Sequence, residues 1–266
     1  MKTEILTHLP PAHPWGQSLY WYDQTVSTNT TAKQMATEGA PHGTVIVADS
    51  QSGGRGRLGR SFCSPAGQGI YMSVILRPGC PPAQLMHLTC AVGVAVCDAI
   101  EETLGFRPGI KWINDLVADN KKLGGILTEL SMDSKTGLVD FAVIGIGINC
   151  TQRPDDFPPE LRPIACSAAM VTQTPVDRSA LIAALIRHLH STGEQLPTGR
   201  NAAMERYRRD CVTVGKQITV IRGDLRENGR GLDVLDDGSL LVAFDSGETA
   251  AVNSGEVSVR GLFGYI

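Results

Sequence analysis

The sequence predicts an α+β protein: a mixed β-sheet flanked by helices, followed by a small closed β-barrel. Three observations predict it. Between residues 19 and 148, short β-branched runs alternate with stretches of helical periodicity. After Cys211 the texture changes, and five short β segments follow one another, separated by turn residues. The composition is that of an ordinary globular chain, with 42% hydrophobic and 19% charged residues among 266, which is ample material for a core. The change of texture places a domain boundary near 210–214, giving domains 1–212 and 213–266.

Leu19 to Thr25 is rich in aromatic and β-branched residues and reads as a strand. Ser27 and Thr28 offer a helix cap, and the helix from Thr30 to Glu38 is closed by Gly39. Gly43 to Ala48 reads as a buried strand and Ile70 to Leu76 as another, ended by Pro78. From Pro82 to Leu104, the apolar residues Leu85, Leu88, Val92, Ala95, Val96 and Ile100 recur at helical spacing. Ile110 to Trp112 is short and extended. Leu116–Ala118 and Gly125–Leu130 flank Asp119-Asn120, a hairpin signal. Phe141 to Ile148 is a core strand, and the proline-rich stretch 153–163 is a loop. Helices are expected at Ile164–Val171, Ser179–Gln195 and Ala202–Asp210. The terminal strands are Gln217–Arg222, Gly229–Leu235, Ser239–Phe244, Glu248–Val252 and Val257–Gly261, with Asp237-Gly238 and Ser246-Gly247 as turns.

Composition narrows the function classes. The net charge of −3 gives no global pull toward nucleic acid or anionic membrane, so any basic function is local. The seven cysteines are odd in number, lack a Cys-x-x-Cys pair and sit mostly in apolar stretches, which reads as buried reduced thiols. His188 and His190, two apart on a predicted helix, face different directions and make no metal pair. The N-terminus lacks a signal-peptide apolar core. The apolar stretches read as too short or too broken by charge to span a bilayer. A cytoplasmic protein without a membrane partner is expected.

Five segments could carry chemistry. Gly53-Gly54-Arg55-Gly56-Arg57-Leu58-Gly59-Arg60 alternates residues that let backbone approach a ligand with forked anion donors. Like charge and glycine predict a loop without fixed conformation until an anion binds. A solvated flexible loop and an RNA-binding Gly/Arg segment are the other readings. Ser27-Thr28-Asn29 lies where a strand meets a helix, as a cap or as a ligand-facing cluster. Lys111 stands within an apolar extended segment, as an edge charge or a site cation, and Asn114-Asp115 reads as a turn. Lys122-Leu123-Gly124-Gly125 implies close backbone approach, to a ligand or to a strand. Gly145-x-Gly147 does not complete a dinucleotide fingerprint, because position 150 is Cys. There is no Gly-x-x-x-x-Gly-Lys-Ser/Thr phosphate loop.

Taken in order, the segments form a pattern. Ser27-Thr28-Asn29, Gln51 with Gly54 to Arg60, Lys111-Trp112-x-Asn114-Asp115, Lys122-Leu123-x-Gly125-Ile126-Leu127-x-Glu129 and Gly145-x-Gly147-x-Asn149 together resemble the biotin–protein ligases. The match runs from about residue 20 to 150. Gly255 to Gly261 resembles that family's C-terminal SH3-like domain, and the catalytic domain would be of the class II synthetase-like biotin/lipoate ligase type. The resemblance implies that biotin and ATP, with Mg²⁺, give biotinyl-5′-AMP and pyrophosphate. A lysine of a biotin carboxyl carrier domain of a biotin-dependent carboxylase then takes the biotinyl group. Catalysis would fall to Lys111, Arg57 and Arg60. Ser27, Thr28, Asn29, Gln51, Gly54, Arg55, Gly56, Arg57, Lys111 and Gly125 would bind biotin. Arg57, Arg60, Phe62, Asn114, Asn149 and Arg260 would meet the nucleotide. The metal ligands stay unassigned. An acyl adenylate hydrolyses in water, so a loop that closes over it suits the chemistry.

Two positions depart from the family pattern. Ile113 stands where proline is frequent, and Phe62 where tryptophan often stacks on adenine; phenylalanine stacks with less area. The 26 residues before Ser27 are too few for the winged-helix repressor domain of some members, so no DNA binding is expected. The resemblance admits a homodimer through the central sheet. Three rivals stand beside it: a lipoate or octanoate ligase of the same superfamily, a nucleic-acid-binding regulator using the Gly/Arg loop, and a catalytically silent biotin-binding protein.

Overall fold

Strand β7, Val139–Asn149, shows how the sequence sets the layers. Its side chains alternate between two faces. Ala142, Ile144, Ile146 and Ile148 join the main core, together with Val92 and Val96 of helix α3 (Leu88–Leu104) and Leu181 and Leu185 of helix α5 (Arg178–Glu194). Phe141 and Val143 pack on the opposite face against Ala32 and Ala36 of helix α2 (Thr28–Thr37). Farther along that second face β7 carries Gly145 and Gly147, against which Asn29 and the Phe62 ring pack closely.

The computed structural model describes residues 1–196, 198–253, 257–261 and 265. Strand β7 belongs to a seven-stranded sheet with β1 (Leu19–Thr25), β2 (Thr44–Gln51), β3 (Gly69–Leu76), β4 (Gly109–Lys111), β5 (Asp115–Ala118) and β6 (Lys121–Met132). The order is β1-β2-β3-β7-β6-β5-β4, with β1 parallel to β2 and every other pair antiparallel. This is the mixed sheet flanked by helices that the sequence predicts. Asp119 and Asn120, at φ 49° and 59°, both occupy the left-handed region that a two-residue hairpin turn requires.

Several sequence expectations are corrected. The 82–104 stretch is not one helix: a 3₁₀ turn over Pro82–Leu85 precedes α3. Leu85 and Leu88 are both buried, and a three-residue spacing suits either helix type, so periodicity alone does not reveal the break. That stretch also has the length and apolar composition of a membrane span, contrary to the sequence reading, but most of its apolar part is buried inside the fold. The helix expected at Ile164–Val171 is only α4, Ala168–Thr172, capped by the Ser167 hydroxyl. The residues before it give their backbone to β6 instead: Lys122 N–H donates to Ile164 C=O at 2.7 Å, and Cys166 N–H donates to Lys122 C=O at 2.9 Å. Helix α1, Lys2–Thr7, has no counterpart in the sequence reading. Helix α6 is Arg200–Asp210. All seven cysteines are free; six are buried, but Cys63 is exposed.

The C-terminal strands β8 (Gln217–Arg222), β9 (Leu225–Val234), β10 (Leu240–Phe244), β11 (Thr249–Val252) and β12 (Val257–Gly261) form one antiparallel sheet, in the order β11-β10-β9-β8-β12. Trp112 ties it to the larger sheet. Its N–H donates to the Thr213 hydroxyl and its indole N–H to Gly238 C=O, both at 2.9 Å. The Trp112–Ile113 peptide is cis.

Candidate active site

Pairing register carries one row of residues across the sheet: Lys111, Asp115, Gly125, Gly147 and Tyr71, on β4, β5, β6, β7 and β3. Strand alternation puts them on the face that also bears Gly145. The glycines make a trough between charged residues at one end and an aromatic at the other. A Cβ on Gly147 would stand 2.7 Å from the Phe62 ring, and one on Gly145 would stand 2.0 Å from Asn29 Oδ1. The glycines of this row therefore serve close packing as much as ligand access. The trough opens into a cavity of about 1180 Å³.

One wall is the start of α2. Ser27, Thr28 and Asn29 are all buried, at 2–4% exposure. Ser27 has N-cap backbone geometry, but its side chain makes no cap hydrogen bond, so the cap reading does not account for its hydroxyl. A polar chain runs from here along the wall. Gln51 Oε1 accepts from Thr28 N–H at 2.9 Å and from the Thr28 hydroxyl at 3.2 Å, while its amide N–H donates to Ser64 Oγ at 2.8 Å. The Ser73 hydroxyl lies 2.8 Å from Thr28 Oγ1 and 2.7 Å from Asn29 Oδ1. The Asn29 amide donates to Glu129 Oε2 at 2.9 Å and to Leu127 C=O at 3.3 Å. Burial would raise the Glu129 carboxyl, but hydrogen bonds from Lys33 and Asn29, with the Lys33 and Arg55 charges, hold it below its ordinary range.

In this structure the Gly/Arg loop lies over the cavity, held by its own backbone hydrogen bonds and by side-chain anchors. Gly56 N–H donates to Arg60 C=O at 2.7 Å, and Phe62 N–H donates to Gly54 C=O at 2.9 Å. A 3₁₀ turn at Arg57–Gly59 carries Leu58 at φ 54°. Anchors outside the loop offset its self-repulsion: Arg57 donates to Asn114 Oδ1 at 3.0 Å, and Arg55 pairs with Glu129 at 3.4 Å. Burial lowers the Arg57 pKa, with Asp115 opposing. Arg55, Gly56, Arg57, Arg60 and Phe62 all line the cavity. Gly54 does not. A Cβ there would meet Phe62 C=O at 2.3 Å, so this glycine is needed for the loop neck to close.

The far end is charged. Lys111 is 7% exposed; its ammonium donates to Tyr265 C=O and lies 3.9 Å from that ring's centre. Asp115 Oδ1 pairs with Lys122 at 2.5 Å, and Oδ2 accepts from the Tyr265 hydroxyl at 2.5 Å. Burial pushes the Asp115 carboxyl up, but Lys122, Tyr265 and Lys111 more than reverse this and leave it below the ordinary range. Burial next to Asp115 raises the Tyr265 hydroxyl strongly.

The cavity thus gathers Ser27, Thr28, Asn29, Gln51, Arg55, Gly56, Arg57, Arg60, Phe62, Lys111, Asn114, Gly125 and Asn149 from the predicted set. Asn149 is turned partly into its own loop: its amide donates to Cys166 C=O at 3.0 Å, and its carbonyl accepts from Gln152 at 3.4 Å. The Arg260 side chain and the segment 254–256 lie outside the described residues. Four contributors escape the sequence reading: Lys122, Asp115 as a charge, Glu129 and Tyr265. Lys122 and Glu129 stand inside a segment marked by its glycines, and the alternation 125, 127, 129 is the signal that puts Glu129 on the trough face. Nothing local marks Tyr265, which is distant in sequence. Among the described residues no group of three or more His, Cys, Asp or Glu side chains could hold a metal. Asp115 and Asp119 are the carboxylates lining the cavity, and both oxygens of Asp115 are already engaged. These residues do not fit a protein-held Mg²⁺.

The chain resembles known proteins in sequence and in fold. Residues 21–149 match the model of the Biotin/lipoate A/B protein ligase family. The chain is 42% identical over 182 residues to the Bifunctional ligase/repressor BirA of Bacillus subtilis, covering 68% of this chain and 53% of that protein. It therefore spans about half the length of that relative. It is 32% identical over 240 residues to the Biotin--[acetyl-CoA-carboxylase] ligase of Mycobacterium tuberculosis, covering 88% of this chain and 86% of that one. A solved biotin protein ligase from Aquifex aeolicus, in complex with biotin and ATP, superposes with a TM-score of 0.77 at 27% identity, covering 91% and 98% of the two chains.

Proposed function

The chain belongs to the biotin/lipoate A/B protein ligase family, and from that membership we propose that it is an ATP-dependent biotin–protein ligase. The observation that carries the reading is one cavity with two unlike ends. The wall of Ser27, Thr28, Asn29 and Gln51 offers neutral donors and acceptors, which suits the uncharged ureido group of biotin. The other end offers Lys111, Lys122, Arg57 and Arg60, which suit a carboxylate and phosphates. The volume exceeds the roughly 300–1000 Å³ of a pocket for one small ligand, so two substrates fit.

In the first step a biotin carboxylate oxygen attacks the α-phosphorus of ATP. The bond from that phosphorus to the bridging oxygen breaks, and pyrophosphate leaves from biotinyl-5′-AMP. Negative charge gathers on the α-phosphate oxygens, and fixed cations there stabilise it without reorganising. Lys111 and Lys122 are placed for this, with Asp115 between them. In the second step a carrier-domain lysine, as the free amine, attacks the acyl carbon; the acyl–oxygen bond breaks, AMP leaves and the amine loses a proton. The closed Gly/Arg loop keeps water from the adenylate between the steps. Arg57 is the loop residue anchored nearest that end, through Asn114. Phe62, at the trough floor, offers a ring face for the adenine. Mg²⁺ enters with the ATP phosphates as part of that substrate.

The test is incubation with biotin, ATP and Mg²⁺, with mass detection of biotinyl-AMP and then of a biotinylated carrier domain. Adenylation of lipoate or octanoate but not biotin would overturn the substrate. Steeply salt-dependent nucleic-acid binding without adenylate formation would overturn the enzyme reading.

A further inference from the structure

We propose that Glu129 is a positioning residue that acts in two ways at once: it sets the orientation of Asn29, and it latches the Gly/Arg loop shut through Arg55. The proposal rests on the ligase reading for its kinetic readout, and on geometry alone for the latch.

Glu129 lies on β6 at the edge of the site, on the face shared with Gly125 and Leu127. Its side chain is 16% exposed and receives cations and donors from separate parts of the chain. Lys33 of α2 pairs with Oε1 at 2.5 Å, Arg55 of the loop approaches the same oxygen at 3.4 Å, and Asn29 donates to Oε2 at 2.9 Å. Glu129 is the carboxylate through which the wall at α2 and the loop are joined.

The consequence for Asn29 follows from hydrogen-bond polarity. A carboxylate only accepts, so the NH₂ end of Asn29 must face Glu129, with Leu127 C=O as a second acceptor. The carbonyl end then faces the Ser73 hydroxyl and the gap left by Gly145. Ser73 then gives its one proton to Asn29 Oδ1 and accepts from the Thr28 hydroxyl, while Gln51 Oε1 is oriented separately by Thr28 N–H. A glutamine at 129 can present either end of its amide, which leaves the longer contact to Leu127 C=O, at 3.3 Å, as the one fixed acceptor for the Asn29 NH₂. The consequence for the loop follows from charge. The Arg55 side chain is 47% exposed, and its pairing with Glu129 spans from loop to sheet. Losing the charge at 129 removes that attraction while leaving the volume nearly unchanged.

Glu129→Gln, Arg55→Met and the double variant test this. Trypsin digestion without ligand reads the latch: Glu129→Gln is expected to be cut after Arg57 or Arg60 about threefold faster than wild type. In the Arg55→Met background the further substitution is expected to add nothing. Kinetics read the orientation of Asn29. The KM for biotin is expected to rise about tenfold, with kcat for adenylate formation within about twofold. That KM effect persists in the Arg55→Met background, whereas escape of biotinyl-AMP into solution rises in either single variant and not further in the double. A general loss of structure would move kcat and KM together and would not depend on Arg55. Unchanged loop cleavage in Glu129→Gln overturns the latch, and unchanged KM overturns the orienting of Asn29. A wild-type protein that forms no biotinyl-AMP removes the ligase reading and the orienting role with it, and the digestion still decides the latch.

Discussion

Glycine and lysine positions show how single residues take different roles within the same motif. The family resemblance assigns Gly54 to the ligand, but the nearest atoms to a Cβ there are Phe62 C=O at 2.3 Å and Ser64 Oγ at 2.6 Å. Gly54→Ala is expected to destabilise the fold by about 1–3 kcal/mol through overpacking, read as a lower denaturation midpoint with or without ligand. Lys122 reads in sequence as part of a glycine motif, yet it reaches Asp115 and the cavity. Lys122→Met is expected to lower the rate of biotinyl-AMP formation by about 10²–10³-fold, in the range of losing one transition-state donor. A rate within about threefold of wild type would return the whole cationic role to Lys111. Glu129 also shapes the acid limb of stability. Its folded pKa is below its ordinary 4.5, so its stabilisation is complete above that pH and is lost as pH falls through the folded value. The stability gap between wild type and Glu129→Gln, from urea titrations, is therefore expected to be constant at neutral pH and to shrink below 4.5.

At the scale of elements, α2 and β7 carry the site. Helix α2 buries Ala32 and Ala36 against Phe141 and Val143, which seats its first residues over the glycine trough. The helix start does not use the Ser27 hydroxyl as a cap. Ser27→Ala is therefore expected to leave stability within about ±0.5 kcal/mol, short of the ~1 kcal/mol typical of a lost cap, while raising KM for biotin. A full capping loss with unchanged KM would make Ser27 structural only. The alternation of β7 is legible in sequence as a core strand, and its glycines as a weak signal. That Ile144, Ile146 and Ile148 face the core while Gly145 and Gly147 face the cavity follows from period two, once one face is known to be covered by α3 and α5.

For the whole molecule, the two sheets meet at the lysine motif. Trp112 is 4% exposed and hydrogen-bonds to Thr213 and to Gly238 in the turn between β9 and β10. Trp112→Ala is expected to cost about 3–5 kcal/mol and to lower the midpoint of thermal unfolding measured by both near- and far-UV circular dichroism. Loss confined to the C-terminal sheet would show that Trp112 does not couple the two. The sequence by itself determined the fold class, nearly every strand, the set of segments that line the cavity and the family they resemble, because period-two patterns, turn residues and motif order are local or strictly ordered along the chain. Only the tertiary structure decided that Gly54 packs at the loop neck while Lys122 lines the cavity beside Asp115, that Glu129 joins loop to helix, and that Tyr265 sits on Lys111 and Asp115. Those outcomes depend on which side chains meet across sheet register and between distant segments, and a pairing 154 residues apart, as between Lys111 and Tyr265, leaves no mark in local sequence.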